Sequence, residues 1–305
     1  LKQFLFPPKA GIFPPSRLKP IRKNFHSQRR NAQFKKRDDK PLVDELIKKN
    51  QVPILYFCFS RRLCEQKSQR ASRRRLLRDQ EKDHARKVWE EGKREFQFQD
   101  ESGPMADLKH MVLRGVAAHH AGMLPLHKEM VERMFAQGLI KILFTTETFA
   151  LGINMPARAV IFDSLTKFDG VDFDYMKTRD FLQMAGRAGR LGMDKEGLVY
   201  SVLEMDDVLE APIHRIQSGK VEPITSRFHL DYATLVHLHG LAGQEAAMEA
   251  WGKSFAAFQA REHSKKREEI NRQKTQLILK KRYAFLESMG YIKGEKEVLA
   301  RGRTC

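Results

Sequence analysis

Ile140-Lys-Ile-Leu-Phe-Thr-Thr-Glu-Thr-Phe-Ala-Leu-Gly-Ile-Asn-Met-Pro156 decides the fold. Its first five residues are apolar but for one lysine, which marks a short buried strand. Hydroxyls at Thr145, Thr146 and Thr148 follow at once, with Glu147 among them, and predict a strand end that turns into a helix start. Outward from this run the same kind of strand recurs at Pro53–Phe59, Val116–His119, Ala159–Phe162 and Gly197–Val202. Helical patterns lie between them. Leu126 to Gln137 carries Met130, Val131, Met134 and Phe135 on one face, and the charged stretch from Arg61 to Gln99 suits one or two surface helices. Continuous apolar strands alternating with helices predict an α/β fold with a parallel sheet covered on both faces. Ligands of such sheets gather at the carboxyl ends of the strands.

The ends of the chain differ from this centre. Residues 1–40 begin Pro-rich and turn basic, without either periodicity, and read as an extended linker. After about residue 205 the strands give way to helices, with Leu235, Val236, Leu238, Trp251, Phe255 and Phe258 at helical spacing. The segment from Arg261 to Met289 starts as a very charged helix and becomes apolar. A chain of 305 residues has room for two or three domains. Its formal net charge of +18 favours a polyanionic partner, nucleic acid before membrane. No apolar run approaches the roughly 20 residues of a membrane span. Three cysteines form neither a CxxC pair nor a disulfide framework, so a reducing intracellular setting is expected, cytoplasmic first, with nucleus or organelle open.

Three further motifs carry chemistry. Phe57-Cys-Phe-Ser-Arg-Arg62 ends a strand in a hydroxyl and two cations. Val116-Ala-Ala-His-His-Ala-Gly-Met-Leu-Pro125 ends another at His119 and His120. Gln183-Met-Ala-Gly-Arg-Ala-Gly-Arg190 sets Arg187 and Arg190 three residues apart among glycines. Guanidinium forks onto phosphate oxygens, and on one helical turn both would point the same way. The plainer reading of these eight residues alone is a soft basic turn facing water. All four motifs are expected on the carboxyl edge of one sheet.

In order and content, the four motifs resemble motifs four to six of superfamily-two helicases, and most closely the superkiller-type DExH family of exosome-associated RNA helicases. The resemblance runs from Pro41 to Cys305. Pro223-Ile-Thr-Ser-Arg-Phe-His-Leu-Asp-Tyr232 and Lys253-Ser-Phe-Ala-Ala-Phe-Gln259 look like that family's winged-helix region. Leu286-Glu-Ser-Met-Gly-Tyr-Ile292 with Ala300-Arg-Gly-Arg303 looks like the start of its C-terminal helical domain. The implied organisation is an interlobe linker at 1–40, a RecA-like second lobe at 41–205, a winged-helix region at 206–260 and a truncated helical domain at 261–305.

The resemblance also implies roles. Arg187 and Arg190 match arginines that reach the ATP γ-phosphate, and Gln183 orients water or that phosphate. Gly186 and Gly189 would permit a close approach, and Gly152 and Asn154 match positions near the ribose. Ser60, Arg61, His120, Gly122, Thr146 and Thr148 match contacts to the phosphates of a single strand, which position it without reading bases. Ser164 to Asp174, around Phe168-Asp-Gly170, sits where the family carries a strand-separating hairpin, and Asp-Gly is equally an ordinary turn signal.

The sequence departs from a complete motor. No G-x-x-x-x-G-K-[ST] phosphate loop and no Asp-Glu-x-His motif occur in it. Gly252-Lys-Ser254 is a decoy, with Ala247 where the first glycine belongs. The expectation is a second motor lobe, inactive as an ATPase in isolation, with Mg2+ held mainly by a first lobe. No metal site of its own is expected, since adjacent histidines on a strand face opposite ways. RNA is the preferred substrate. A DNA-unwinding repair helicase and a non-catalytic nucleic-acid-binding scaffold remain open as alternatives.

Overall fold

The computed structural model describes residues 1–6, 12, 14, 39–98, 102–147, 155–168, 173–203, 212–217, 219–224, 226, 228, 230–263 and 265–303. The chain divides into two compact units, Leu1–Glu222 and Pro223–Cys305.

The first unit is built on a six-stranded sheet. Its strands are β1 (Lys2–Phe6), β2 (Ile54–Phe57), β3 (Val116–His119), β4 (Ile142–Thr145), β5 (Ala159–Phe162) and β8 (Leu198–Val202). They lie in the order β1-β8-β5-β2-β4-β3, with every neighbouring pair parallel. A separate antiparallel pair, β6 (Thr166–Phe168) and β7 (Phe173–Tyr175), follows β5. Among the described residues six helices lie in the crossovers: α1 (Lys40–Lys48), α2 (Arg61–Ala71), α3 (Asp79–Glu95), α4 (Gly103–Val112), α5 (Pro125–Ala136) and α6 (Thr178–Ala185). A short α7 (Ile213–Gln217) comes after the sheet.

Strand alternation sorts the core into two layers. On one face Leu55, Phe57, Leu143, Val160, Phe162 and Val199 pack with Trp89 of α3, Met130 and Met134 of α5 and Phe181 of α6. On the other, Ile54, Tyr56, Ile142, Phe144 and Ile161 pack with Leu42 and Leu46 of α1 and Cys64 of α2. Each such side chain, fully buried, stabilises the fold by about 1.5–3 kcal/mol. Burial on both faces is why these strands are continuously apolar. The α/β, RecA-like sheet with helices on both faces is therefore as expected.

The amino-terminal reading needs correction. Lys2–Phe6 is no linker: it pairs in register from Lys2↔Leu198 to Phe6↔Val202 as one of the sheet's two edge strands, with Leu5 and Phe6 buried. Five residues bounded by Pro7-Pro8 are too short to show a period. The basic half of the expected linker, from 15 to 38, lies outside the described residues.

The second unit is mostly helical, with α8 (Tyr232–Ala242), α9 (Glu245–Gly252), α10 (Phe255–His263), α11 (Lys265–Ser288) and a terminal α12 (Ala300–Arg303). Leu230, Leu235, Val236 and Ala247 share one core with Leu279, Tyr283, Leu286 and Ile292. That core spans residue 260, where the sequence suggested a boundary. The two-stranded hairpin of β9 (Ile292–Lys293) and β10 (Glu297–Val298) lies beyond 260, outside the segment expected to hold a winged helix.

Candidate functional site

Three strands deliver candidate residues to the carboxyl edge. β2 leads to Ser60, whose extended backbone and side chain cap α2 by accepting from the Leu63 N–H at 3.1 Å. Arg61 stands exposed in the first turn of α2. β4 ends at Thr145, whose hydroxyl is spent internally on the His119 carbonyl at 2.8 Å. Thr146, the next residue, is half-buried, and its N–H reaches the same carbonyl at 3.4 Å. Register explains the grouping: Phe57, His119 and Thr145 are in line across the three strands.

β3 leads to His120, and here the structure differs from a simple phosphate contact. The imidazole is buried, and its Nδ1 accepts the Gly122 N–H at 3.2 Å. Its Nε2 lies 3.1 Å from Glu65 of α2. Burial lowers the pKa of His120, against the opposing pull of Glu65. Along this loop Ala121, Gly122 and Leu124 are exposed. A Cβ at Gly122 would come within 3.1 Å of the Arg61 side chain, so the two loops touch. His119 faces the other way, 2.7 Å from Glu132 of α5, and its pKa is likewise lowered by burial.

The β6–β7 hairpin is present where the resemblance expects one, with its tip at 169–172 outside the described residues. Lys167 of β6 pairs with Glu147 at 2.8 Å and with Asp180 of α6 at 2.9 Å. Burial would lower the Lys167 pKa, but the two carboxylates outweigh it and raise it. Thr148, Gly152 and Asn154 lie outside the described residues.

The arginine cluster is on the opposite edge of the sheet, which corrects the expectation that all four motifs share one. A crossover helix returns the chain to the start of the next strand, so the backbone leaving α6 arrives at the amino ends of β5 and β8. There the Ala157 N–H donates to the Arg187 carbonyl at 2.9 Å, and the Gly189 N–H donates to the Ala157 carbonyl at 2.7 Å. Nor do Arg187 and Arg190 share a helix: α6 ends at Ala185, and Gly189 has φ +92°. The close approach at Gly189 is to the chain's own Gly197, since a Cβ there would lie 3.1 Å from that backbone. Gly186, at φ −61°, needs no glycine conformation.

Gln183 is exposed near the end of α6, and both arginines are half-buried. Arg190 forks onto Asp194, Nε to Oδ2 at 2.8 Å and Nη2 to Oδ1 at 3.0 Å. Arg158 approaches the same carboxylate at 3.4 Å. The Arg190 hydrogen bonds and its charge hold Asp194 down to about 2, against burial. Sequence reasoning passed over Asp194, although an acid four residues after an arginine was a readable signal. The side-on fork leaves the outer Nη1–Nη2 edge of Arg190 free of Asp194, in the geometry that takes a phosphate.

Residues 97–192 of this RecA-like unit match the family described as helicase conserved C-terminal domain, which makes it a helicase C-terminal lobe. The chain carries the C-terminal portion of a superkiller-type DExH-box helicase. It is 37% identical over 259 residues to DExH-box ATP-dependent RNA helicase DExH11 of Arabidopsis thaliana, covering 84% of this chain and 19% of that protein. It is 37% identical over 199 residues to exosome RNA helicase MTR4 of Homo sapiens, covering 65% and 19%. Superkiller complex protein 2 of Mus musculus is 34% identical over 229 residues, covering 75% and 18%. The chain thus spans about a fifth of the length of these relatives. Among the described residues no helix is long and apolar enough to cross a membrane.

Proposed function

We propose that this chain is the second motor lobe of an ATP-dependent RNA helicase, which grips a single strand at the carboxyl edge and completes an ATP site at the amino edge. The observation that carries the reading is the separation itself. Ser60, Arg61, Gly122 and Thr146 stand at one edge, Gln183, Arg187 and Arg190 at the other, and α6 runs between them. A motor needs strand contact and hydrolysis at distinct places joined by a rigid element. Thr148 belongs to the same strand-contacting set, and Gly152 and Asn154 to the nucleotide's surroundings.

ATP bound with Mg2+ on a first lobe outside this chain would supply the phosphoryl group. Charge grows on phosphoryl oxygens during transfer, and arginines delivered there are worth about 10³–10⁵ in rate in well-studied nucleotide hydrolases. The outer edge of Arg190 fits that task, with Arg187 beside it and the Gln183 amide in reach of solvent to orient water. His120 acts in this scheme through its hold on the Gly122 backbone, and Ser60 through both its cap and its hydroxyl. Phosphate contacts of this kind do not select sequence. The preference for RNA over DNA rests on relatives that are named RNA helicases. By itself the chain is an ATP-independent binder, because its 305 residues hold no phosphate loop.

The deciding experiment uses the full-length parent protein. Arg187→Ala and Arg190→Ala are each expected to abolish nucleic-acid-stimulated ATP hydrolysis while strand binding stays largely intact. Normal turnover in both variants would sink the finger assignment. Unwinding of a DNA duplex with RNA ignored would overturn the substrate preference.

A further inference from the structure

We propose that Lys167 is the positioning residue that couples the strand-contacting loop after β4 to the arginine turn, a role that rests on the proposed division of labour between the two edges. Three elements meet at this one ammonium. Lys167 comes from the hairpin strand β6, Glu147 from the loop after β4, and Asp180 from the first turn of α6. Glu147 stands between Thr146 and Thr148, the two hydroxyls assigned to the strand. Asp180 belongs to the helix whose far end bears Gln183 and leads into Arg187 and Arg190.

The geometry favours transmission over decoration. The Lys167 and Asp180 side chains are 20% and 25% exposed and Glu147 is 50% exposed, so the lysine joins a half-buried helix acid to a loop acid at the surface, and a bridge shared by two elements constrains more than an isolated surface pair. An ammonium has three donors, and two of them are spent on carboxylates from separate elements. Removing it would leave Glu147 and Asp180 as like charges around an empty centre, pushing loop and helix apart.

The helix is held so that movement of its first turn is passed on. At its start Glu222 accepts the Thr178 N–H at 2.9 Å and the Thr178 hydroxyl at 3.1 Å. Beyond its end Ala157 straps the Arg187 backbone to β5. Eight residues of α-helix are a rod of about 12 Å. A strand that fixes the backbone at Thr146 and Glu147 thereby fixes the Glu147 carboxylate, then Lys167, then the first turn of α6. Coupling carried this way is read as an interaction energy between the two sites in a double-variant cycle.

The test uses the full-length protein with single-stranded poly(U) RNA as the probe, comparing Lys167→Met, Glu147→Gln, the double variant and Lys167→Arg. Lys167→Met is expected to bind the RNA and to hydrolyse ATP without RNA much as wild type does. Its RNA stimulation should fall about tenfold, within the range usual for coupled sites. The double variant should be no worse than the worse single one, because both break the same link, and Lys167→Arg should recover most of the stimulation. Undiminished stimulation in Lys167→Met would overturn the proposal, as would joint loss of basal and stimulated turnover with a lowered melting temperature, or strictly additive losses in the double variant. Arg187→Ala and Arg190→Ala run alongside separate the two readings. If Arg187→Ala and Arg190→Ala both turn over normally, the finger assignment fails. If Arg187→Ala is inactive while Lys167→Met is stimulated normally, the coupling alone fails.

Discussion

Arg190 lays its Nε–Nη2 edge along the carboxylate of Asp194 at 2.8 and 3.0 Å, and the Arg190 backbone N–H donates to the same group at 2.9 Å. The Asp194 side chain is only 6% exposed, so three charge-assisted contacts replace its water. Asp194→Asn is expected to destabilise the chain by about 2 kcal/mol at neutral pH, the scale of hydrogen bonds to charged groups. Urea denaturation reads this directly. The depressed pKa sets the sign of the pH dependence. The contribution is full above the unfolded-state value of about 4 and is lost as pH falls toward the folded value of about 2. Wild type and variant should therefore converge in acid. Equal stability at pH 7 would mean that the fork contributes nothing.

Gly197 and Gly189 bring two backbones together under the arginine turn. A Cβ on Gly197 would collide with the Ala188 carbonyl and lie 2.8 Å from the Gly189 nitrogen, all unyielding backbone. Gly197→Ala should cost about 3 kcal/mol, the upper end of overpacking penalties. Gly189→Ala adds the strain of a φ near +92° to a 3.1 Å contact. Gly186→Ala has no conformational strain and its nearest contact is the Leu182 carbonyl at 3.1 Å, so it should cost less than either, about 1 kcal/mol. Thermal unfolding of the three variants gives the order. A Gly186→Ala loss as large as that of Gly197→Ala would contradict it.

The buried triad at Lys67 is a second test of stability. Its ammonium lies 2.6 Å from Asp39 and 2.7 Å from Asp163, and it donates to the Tyr56 hydroxyl at 2.9 Å. Tyr56 in turn donates to Asp163 at 2.8 Å. Burial alone would lower the Lys67 pKa, but Asp163 and Asp39 outweigh it, so the lysine is held charged. Lys67→Met strands two carboxylates and should cost about 3–5 kcal/mol. Tyr56→Phe removes two hydrogen bonds but leaves Lys67 paired with both carboxylates, and should cost about 1.5–3 kcal/mol, the scale for bonds to charged groups. Guanidinium denaturation that ranked Tyr56→Phe as the worse variant would refute this account.

What the sequence disclosed and what it hid divide along physical lines. Five of the six strands were legible, β3 at the far edge among them, because burial on both faces forces continuous apolar runs. β1 was not, since an edge strand of five residues beside prolines carries no period. The edge at which Arg187 and Arg190 sit was a matter of connectivity: a strand–helix–strand crossover puts the end of its helix beside the amino ends of the strands. Arg190 and Asp194 are four residues apart and could have been paired from sequence. Lys167 and Glu147 are 20 apart on different elements, and Lys67 and Asp39 are 28 apart, so neither pairing shows in any local pattern. In sequence Lys67 looked like one more cation on a solvated helix face.

Ser60 serves two roles that one pair of substitutions separates. Its side chain caps α2, and Ser60→Ala should cost about 1 kcal/mol for that reason alone. Weakened strand binding in Ser60→Ala would therefore be ambiguous. Aspartate also caps well, and its charge suits a helix N-terminus, so Ser60→Asp should melt at or above the wild-type temperature. The same charge repels a phosphate. Fluorescence anisotropy of this chain with labelled single-stranded RNA should show affinity reduced about tenfold in Ser60→Asp, equivalent to about 1.4 kcal/mol. Salt must be fixed throughout, because a chain of net charge +18 binds polyanions with a steep salt dependence. Wild-type affinity in a well-folded Ser60→Asp would remove Ser60 from the strand-contacting set and leave it as a helix cap.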